Sequence, residues 1–252
     1  MEDMPIAKLE FNAVSKRLGQ QDVLRDLSLR VPAWGGMALV GESGSGKSTL
    51  LSLALGLIEP DSGSINLFDE PLTPTNVRTQ RQRIGYALQE TGLFPHLSVL
   101  DNLCLQGRLL GHESEQLQTR ARLLAEQMHL DPDMLKRYPI ELSGGQQQRA
   151  GICRAMLLEP ELLLLDEPFS GLDVVTRNDI YDHFVALANA RRCSFLLVTH
   201  DLNEAQRLCA TVAVLRDGRI VDHGPSERVI NDPRHDYVAR LVAAQRLHIA
   251  HG

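Results

Sequence analysis

The stretch that decides the fold of this chain is Gly41-Glu42-Ser43-Gly44-Ser45-Gly46-Lys47-Ser48. It has the pattern of a phosphate-binding loop, lying between an apolar run at 37–40, predicted to be a buried strand, and a predicted helix at 49–55. Glycines let backbone N–H groups converge on phosphate oxygens, and the helix N-terminus favours negative charge. Lys47 can reach the β- and γ-phosphates, and the Ser48 hydroxyl can bind Mg²⁺. A flexible Gly/Ser turn is the alternative, but the strand–loop–helix context favours a nucleotide site.

A second strand is predicted where Leu162-Leu163-Leu164-Leu165 precedes Asp166-Glu167. A short, continuously apolar run is typical of a parallel strand covered on both faces, and ligands of open α/β sheets bind at the C-terminal ends of such strands. Asp166 can therefore assist Mg²⁺, while Glu167 can polarise a water molecule aimed at the γ-phosphate. An N-cap pair for a following helix is the alternative, and Pro168 is compatible with it.

A third apolar run, residues 195–198, ends in Thr199-His200-Asp201. By the same reasoning His200 faces the ligand, where it can hydrogen-bond a γ-phosphate oxygen or hold the attacking water. A capping or core histidine is the alternative.

A second glycine motif, Leu142-Ser143-Gly144-Gly145-Gln146, opens a predicted helix. A serine and two glycines at a helix N-terminus make a second anion site. Because the chain has one complete phosphate loop, we infer that the second site serves a nucleotide held by another copy. An ordinary capped helix is the alternative.

With these motifs in this order, the chain resembles the nucleotide-binding subunit of an ATP-binding cassette (ABC) transporter over nearly its whole length. Residues 41–48 match the Walker A loop, 142–146 the signature and 162–167 Walker B. Gln89 matches the Q-loop, Ser170-Gly171-Leu172-Asp173 the D-loop, and His200 the switch histidine. Three segments look like the corresponding ones of bacterial importer ATPases, particularly those of the osmoprotectant (glycine betaine, choline) and polar amino acid groups: residues 84–86, 92–96 and 166–170.

The resemblance implies an ATPase that forms a head-to-tail homodimer around two ATP molecules. Glu167 is then the catalytic base, His200 a γ-phosphate and water contact, and Gln89 a Mg²⁺ and water sensor. The implied Mg²⁺ positions are Ser48, Gln89 and Asp166. The implied nucleotide-binding positions are Gly41, Glu42, Ser43, Gly44, Ser45, Gly46, Lys47, Ser48, Thr49 and Leu18 in one copy, with Ser143, Gly144, Gly145, Gln146 and Asp173 reaching across the dimer.

The implied fold is α/β, a P-loop NTPase core with a mixed, mainly parallel sheet and helices on both faces. Alternation in residues 6–31 predicts an antiparallel pair at a sheet edge, and residues 95–158 are predicted to form an inserted helical subdomain that carries the signature. Residues 1–94 and 159–252 then form the nucleotide-binding core with its antiparallel subdomain. A surface loop is predicted at 69–75, a hairpin around Asp217-Gly218, and a terminal helix at 236–246.

One departure from the family pattern concerns the base of the nucleotide. The family usually places an aromatic residue that stacks on adenine where this chain has Leu18. An aliphatic side chain loses a stacking contribution of roughly 1 kcal/mol. We therefore expect weaker affinity and looser base selectivity, with ATP still preferred.

Composition and charge exclude several classes of protein. A net charge of −6 does not indicate a nucleic-acid-binding surface. The compact basic stretch at 80–83 is predicted to be a solvated face. No run approaches the roughly 20 apolar residues of a transmembrane helix, and the first residues show no secretory pattern. The four cysteines form no CxxC pair and are expected to be free thiols. We expect a cytoplasmic protein.

An apolar segment follows Gln89, at residues 92–99, and predicts a partner surface. In the family this region receives a short helix from the membrane permease; a hydrophobic plug within the helical subdomain is the alternative. The implied location is the cytoplasmic face of the inner (plasma) membrane, through the permease, with an extracytoplasmic solute-binding protein in the complex. A soluble ABC ATPase of iron–sulfur cluster assembly is the main alternative. A DNA-repair ABC ATPase is a further one, but it would need a long coiled-coil insertion or a basic face, and this sequence shows neither.

Overall fold

The computed structural model describes residues 7–172 and 174–250, with the backbone alone for 174–176 and 246–250. The predicted cross-dimer residue Asp173 lies outside the described residues. Two compact units divide the chain: one runs up to Arg81 and resumes at Ser194, and the other runs from Gln82 to Cys193. The predicted subdomain 95–158 lies within the second unit, and its boundaries stay a prediction.

The strands, in chain order, are β1 (Ala7–Leu18), β2 (Gln21–Pro32), β3 (Gly35–Val40), β4 (Ser62–Leu67), β5 (Glu70–Pro71), β6 (Ile84–Ala87), β7 (Leu162–Asp166), β8 (Ser194–Thr199), β9 (Thr211–Arg216) and β10 (Arg219–Pro225). The α-helices are α1 (Lys47–Ala54), α2 (Val77–Gln82), α3 (Val99–Leu109), α4 (Ser114–Gln127), α5 (Gly144–Met156), α6 (Val174–Ala190), α7 (Leu202–Leu208), α8 (Ser226–Asn231) and α9 (Asp236–Ala250). Short 3₁₀ turns cover Pro132–Lys136 and Pro139–Glu141.

An antiparallel sheet of order β2-β1-β4-β5 lies in the first unit. The predicted antiparallel pair is confirmed as β1 and β2, but β1 lies between β2 and β4, because Phe11 pairs with both Leu29 and Ile65. Leu9 and Phe11 are fully buried and stand two residues apart on one face. The loop prediction for 69–75 is wrong at its start, since β5 pairs with the end of β4.

A parallel arrangement in the same unit positions the phosphate loop. β3 pairs in parallel with both β8 and β9, and β10 pairs antiparallel with β9 as the predicted hairpin. Residues 37–40 and 194–199 are wholly buried, which explains their continuous apolar runs. Val40 is the register partner of Thr199, so Gly41 and His200 leave the sheet at the same edge.

The second unit contains the parallel pair β6–β7 and the helices α3 to α6. Ala87 is the register partner of Leu165, so the segment with Gln89 and the acidic pair also leave at one edge. A β-carbon placed on Gly85 would collide with the carbonyl oxygen of Ala155, because α5 packs directly on β6. The helical character predicted for residues 95–158 is found in α3, α4, the two 3₁₀ turns and α5.

The basic stretch at 80–83 is not simply a solvated face. Gln80 is buried, and the Arg81 guanidinium donates hydrogen bonds of 2.6 and 2.7 Å to the carbonyls of Leu55 and Gly56. These carbonyls follow the end of α1, where a cation compensates the helix dipole. The Arg81 side chain thus binds a helix end that lies 26 residues earlier in the chain, a partner that local sequence does not reveal.

All four cysteines are free and buried, as the sequence predicted: Cys104, Cys153, Cys193 and Cys209. Burial raises the pKa of the Cys153 thiol to about 12 and also raises the pKa values of Cys104 and Cys209. Among the described helices, none is both long and apolar enough to cross a membrane.

Candidate nucleotide site

The phosphate loop joins β3 to α1, as predicted, and glycine is required within it. Gly44 and Gly46 have φ values of +78° and +112°, which side-chain-bearing residues rarely adopt. A β-carbon on Gly46 would also lie 2.8 Å from the Leu24 Cδ2 atom and 3.0 Å from the Val23 carbonyl oxygen. The backbone can therefore turn tightly into the N-terminus of α1 only because this residue is glycine.

The polar groups of the loop fit a polyphosphate. The Lys47 ammonium, in a residue 8% exposed, donates 2.7 Å hydrogen bonds to the carbonyls of Gly41 and Glu42. The Ser45 hydroxyl is buried without a hydrogen-bond partner among the described residues, which is costly unless a ligand supplies one. Ser48 and Thr49 stand in the first turn of α1, with Ser48 exposed. A buried cation, a buried hydroxyl and a helix N-terminus together make an anion cradle.

His200 lies at the same sheet edge as this loop and is exposed. The next residue, Asp201, caps α7, accepting hydrogen bonds from the backbone N–H groups of Asn203 and Glu204 at 2.8 and 3.4 Å. The structure therefore brings His200 and the phosphate loop together within one unit, and the cap fixes the direction in which the chain leaves β8.

The acidic pair lies at the end of β7 in the second unit. The Gln89 amide nitrogen donates a 3.2 Å hydrogen bond to Glu167 Oε2, so two of the predicted catalytic residues are in contact. Glu167 has φ +45°, a left-handed conformation that few non-glycine residues adopt. Asp166 is buried, and burial together with the charge of Asp166 raises the pKa of Tyr86 to about 12. Tyr86 therefore stays protonated beside this carboxylate at neutral pH.

The predicted Mg²⁺ positions supply oxygen donors of the kind this cation prefers: the Ser48 hydroxyl, the Asp166 carboxylate and the Gln89 amide. Among the described residues there is no group of three or more His, Cys, Asp or Glu side chains that could hold a metal ion. A hydroxyl, a carboxylate and an amide oxygen suit a hydrated Mg²⁺ that would also take phosphate oxygens.

The signature motif forms a complete capping box at the start of α5. The Ser143 hydroxyl accepts from the Gln146 N–H at 3.3 Å, while the Ser143 N–H donates to Gln146 Oε1 at 2.9 Å. Ser143 and the neighbouring Gly144 are both exposed. A β-carbon on Gly145 would lie 3.1 Å from Leu172 Cδ2. The motif is therefore a well-ordered helix N-terminus. Its hydrogen bonds are those of an ordinary capped helix, which was the alternative interpretation of this motif.

Two side chains of α5, Gln148 and Arg154, bond to loops that carry predicted site residues, and sequence reasoning missed both. The Gln148 side chain bonds Ser170 Oγ at 3.0 Å and accepts from the Gly171 N–H at 2.8 Å, tying the signature helix to the D-loop. The Arg154 guanidinium donates to the carbonyls of Thr91 and Gly92 at 2.7 and 2.6 Å, just after Gln89. These bonds join residues 22 to 63 positions apart, and no periodicity in the sequence signals them.

The apolar loop at 92–99 is held from beneath by one buried amide. The Asn102 side chain is fully buried, accepts from the Phe94 N–H at 2.6 Å, and donates to the carbonyls of Phe94, Leu97 and Ser98 at 3.0–3.1 Å. Phe94 is 45% exposed, and its ring packs edge-on against His96. The loop is thus a fixed surface with an exposed aromatic group, and Phe94 does not form a buried plug.

We expect the substitution Asn102→Leu to lower the free energy of unfolding by about 2–4 kcal/mol, because it strands buried backbone groups without partners. Urea denaturation would measure this change. Gln106→Leu, at an exposed position on the same helix, should stay within about 0.5 kcal/mol of wild type. Equal stabilities of the two variants would contradict the role given to Asn102.

Comparison with known proteins places these features in a family. The family model described as ABC transporter matches residues 24–170. The glycine betaine/carnitine/choline transport ATP-binding protein OpuCA of Bacillus subtilis is 36% identical over 240 residues, covering 95% of this chain and 63% of the relative. The glycine betaine uptake system ATP-binding protein YehX of Escherichia coli is 37% identical over 239 residues, covering 95% of this chain and 78% of the relative. This chain therefore spans less than two thirds of the length of OpuCA.

Solved structures agree with these matches. A dimeric ATP-binding cassette in a post-hydrolysis state, bound to ADP and Pi, superposes with a TM-score of 0.80 at 27% identity, covering 86% of this chain and 98% of that one. The cbiO1 structure from Clostridium perfringens superposes with a TM-score of 0.82 at 23% identity, covering 97% of this chain and 98% of that one, and supports the fold alone. From the phosphate loop, the acidic strand end and these matches, we conclude that the chain belongs to the ATP-binding cassette (ABC) transporter family, as an ATP-binding domain.

Proposed function

We propose that this protein is the ATP-hydrolysing subunit of an ABC importer, and that its transporter takes up an osmoprotectant such as glycine betaine or choline. The observation that carries the ATPase part is the anion cradle, in which the buried Lys47 ammonium and the buried Ser45 hydroxyl lie at the helix N-terminus. The proposed choice of solute rests on the relatives, several of which are named for glycine betaine, carnitine or choline transport.

In this proposal the first unit holds the triphosphate of ATP. Backbone N–H groups of residues 41–48 surround the phosphates, and Lys47 exchanges loop carbonyls for β- and γ-phosphate oxygens. His200 donates a hydrogen bond toward the γ-phosphate from the neighbouring strand. Positioning and charge compensation of this kind supply most of what phosphoryl transfer requires.

The second unit supplies the groups that activate water. Glu167 serves as general base, and Gln89, already bonded to its carboxylate, orients the water. Mg²⁺, when bound, offsets phosphate charge, and Ser48, Gln89 and Asp166 are the residues that would hold it. Ser143, Gly145 and Asp173 act on the nucleotide bound by a second copy, arranged head to tail, so that hydrolysis depends on dimer closure.

The loop at 92–99 is the proposed docking surface for a membrane permease. Its exposed Phe94 and the bonds from Arg154 to the segment after Gln89 connect this surface to the water-activating group within one unit. The protein is then peripheral on the cytoplasmic face of the membrane, and a solute-binding protein outside the membrane completes the transporter. The alternative in iron–sulfur cluster assembly is disfavoured, because the relatives described above are named for solute transport.

The test is to purify tagged Glu167→Gln protein with ATP from solubilised membranes and to identify what comes with it. A co-purifying multi-spanning permease, lost when Phe94 is replaced by aspartate, would support the transporter role, and its solute-binding protein would narrow the solute. Recovery of soluble scaffold proteins alone would overturn it in favour of the assembly ATPase.

Base selectivity follows from Leu18, which is 46% exposed at the end of β1. Without an aromatic platform, we expect ATP and GTP to compete within about tenfold, or roughly 1.4 kcal/mol. Competition of each nucleotide against a fluorescent ATP analogue measures the ratio. Leu18→Tyr should favour ATP further, and a strong ATP preference in the wild type would mean that another residue selects the base.

A further inference from the structure

The C-terminal helix α9 reaches the segment that carries His200 through a single side chain. The Gln245 amide nitrogen donates a 2.6 Å hydrogen bond to the His200 carbonyl, and its amide oxygen accepts from the Leu202 N–H at 2.8 Å. One amide therefore holds the peptide chain on both sides of Asp201. Gln245 is separated from these residues by more than 40 positions.

These two bonds satisfy groups that the local structure does not. Leu202 is the first residue of α7, where backbone N–H groups have no partner inside the helix. The Asp201 side chain accepts from Asn203 and Glu204, which leaves the Leu202 N–H to Gln245. The orientation of the His200 backbone is thus set from α9.

The same helix also lies beside the phosphate loop. Tyr237, in the first turn of α9, is buried, and the Arg216 guanidinium covers its ring at 4.4 Å from the centroid. Arg216 is the last residue of β9, and a β-carbon built on Gly41 would lie 2.6 Å from the carbonyl oxygen of the preceding Leu215, so this end of β9 adjoins the phosphate loop. Burial and the nearby Glu42 carboxylate also raise the pKa of Tyr237. Helix α9 therefore contacts the histidine segment directly and, through Tyr237 and Arg216, the end of β9 that adjoins the phosphate loop.

We propose that Gln245 is a positioning residue for His200, and that α9 braces the histidine segment against the phosphate loop. This role rests on the proposed ATPase function. Small displacements of a catalytic group cost large factors in rate, whereas nucleotide affinity depends mainly on the phosphate loop. Within the described part of the chain, the hydrogen bonds of the Gln245 side chain go to residues 200 and 202 and not to the phosphate loop. Loss of the Gln245 amide should therefore lower kcat and leave the KM for ATP nearly unchanged.

The first experiment compares Gln245→Leu with Gln206→Leu in steady-state ATP hydrolysis. Gln206 is an exposed glutamine on α7, a few residues from the same segment, and serves as the matched control. We expect kcat to fall by about tenfold or more in Gln245→Leu, with KM within about twofold, and no change in the control. Gln245→Glu, which keeps the acceptor for Leu202 and loses the donor to His200, should be intermediate. A wild-type kcat in Gln245→Leu would overturn the proposal.

Two further measurements separate positioning from a general loss of stability. In the background of His200→Ala, Gln245→Leu should cause little additional loss of kcat, because the group it positions is gone. Hydrogen–deuterium exchange of the peptide that covers residues 200–204 should accelerate in Gln245→Leu and not in Gln206→Leu. Fully additive kinetic losses, or unchanged exchange, would overturn the proposal. A wild-type protein that cannot hydrolyse ATP would instead refute the proposed function, and the exchange result would still report on the contact.

Discussion

Replacing Glu167 by glutamine is expected to leave ATP binding within about twofold of wild type while hydrolysis falls by about 100-fold or more. The amide has almost the shape of the carboxylate but cannot accept a proton from water. It can still meet Gln89, which now donates to Glu167 Oε2 at 3.2 Å, so the local structure should survive. Because ATP binds without being consumed, the variant should also accumulate as a dimer, visible by light scattering.

The control for this experiment is Glu126→Gln, which removes an exposed carboxylate from the end of α4 in the same unit. Its turnover should equal that of the wild type. Full turnover in Glu167→Gln would remove Glu167 as the general base. Loss of ATP binding in that variant would mean that the Glu167 carboxylate itself contributes to nucleotide binding, contrary to the role given to it.

Mixing two inactive proteins should restore ATP-dependent dimerisation if the site is shared between copies. In the Glu167→Gln background, Lys47→Ala should lose ATP binding, because it removes a buried cation from the anion cradle. Ser143→Ala should still bind ATP but lack the group that meets the partner's nucleotide. Neither variant alone should form a stable dimer, whereas the mixture should contain mixed dimers with one intact composite site.

The appropriate control mixes two differently tagged preparations of the Lys47→Ala protein, which should give no pairing. Pull-down through one tag and detection of the other measures mixed dimers directly. If the Lys47→Ala and Ser143→Ala proteins fail to pair while the parent dimerises with ATP, the head-to-tail arrangement is wrong. The capping role of Ser143 would then be sufficient to explain its bonds with Gln146.

Short-range patterns in the sequence were enough to predict a large part of the fold and of the site. The phosphate loop needs glycine at the positions with positive φ, such as Gly44 and Gly46, and the buried parallel strands need continuous apolar runs. Because parallel strands end at a common edge, the same runs predict that His200 and the phosphate loop lie together. The roles of Gln89 and Glu167 come from the family resemblance rather than from spacing, and the hydrogen bond between them was not predicted.

The remaining features could not be predicted because they depend on distant partners. The amides of Asn102, Gln148 and Gln245 look like ordinary polar positions in the sequence, yet each one bonds to backbone groups of a functional loop. Arg81 was assigned to a solvated face for the same reason, since its carbonyl partners follow a helix that ends far earlier in the chain. Hydropathy and spacing describe a residue and its near neighbours, and they carry no information about such bonds.

The buried thiols can serve as native probes of unfolding, because they become accessible to reagents only when the structure opens. The thiolate is the species that attacks alkylating reagents, so burial protects all four side chains while the native structure persists, and raised pKa values further protect Cys104, Cys153 and Cys209. Cys209 lies in the first unit and Cys104, Cys153 and Cys193 in the second, so pulsed alkylation followed by mass mapping can time the opening of each unit separately. Because the four native thiols are buried, a cysteine introduced at an exposed position should be labelled selectively without first replacing them.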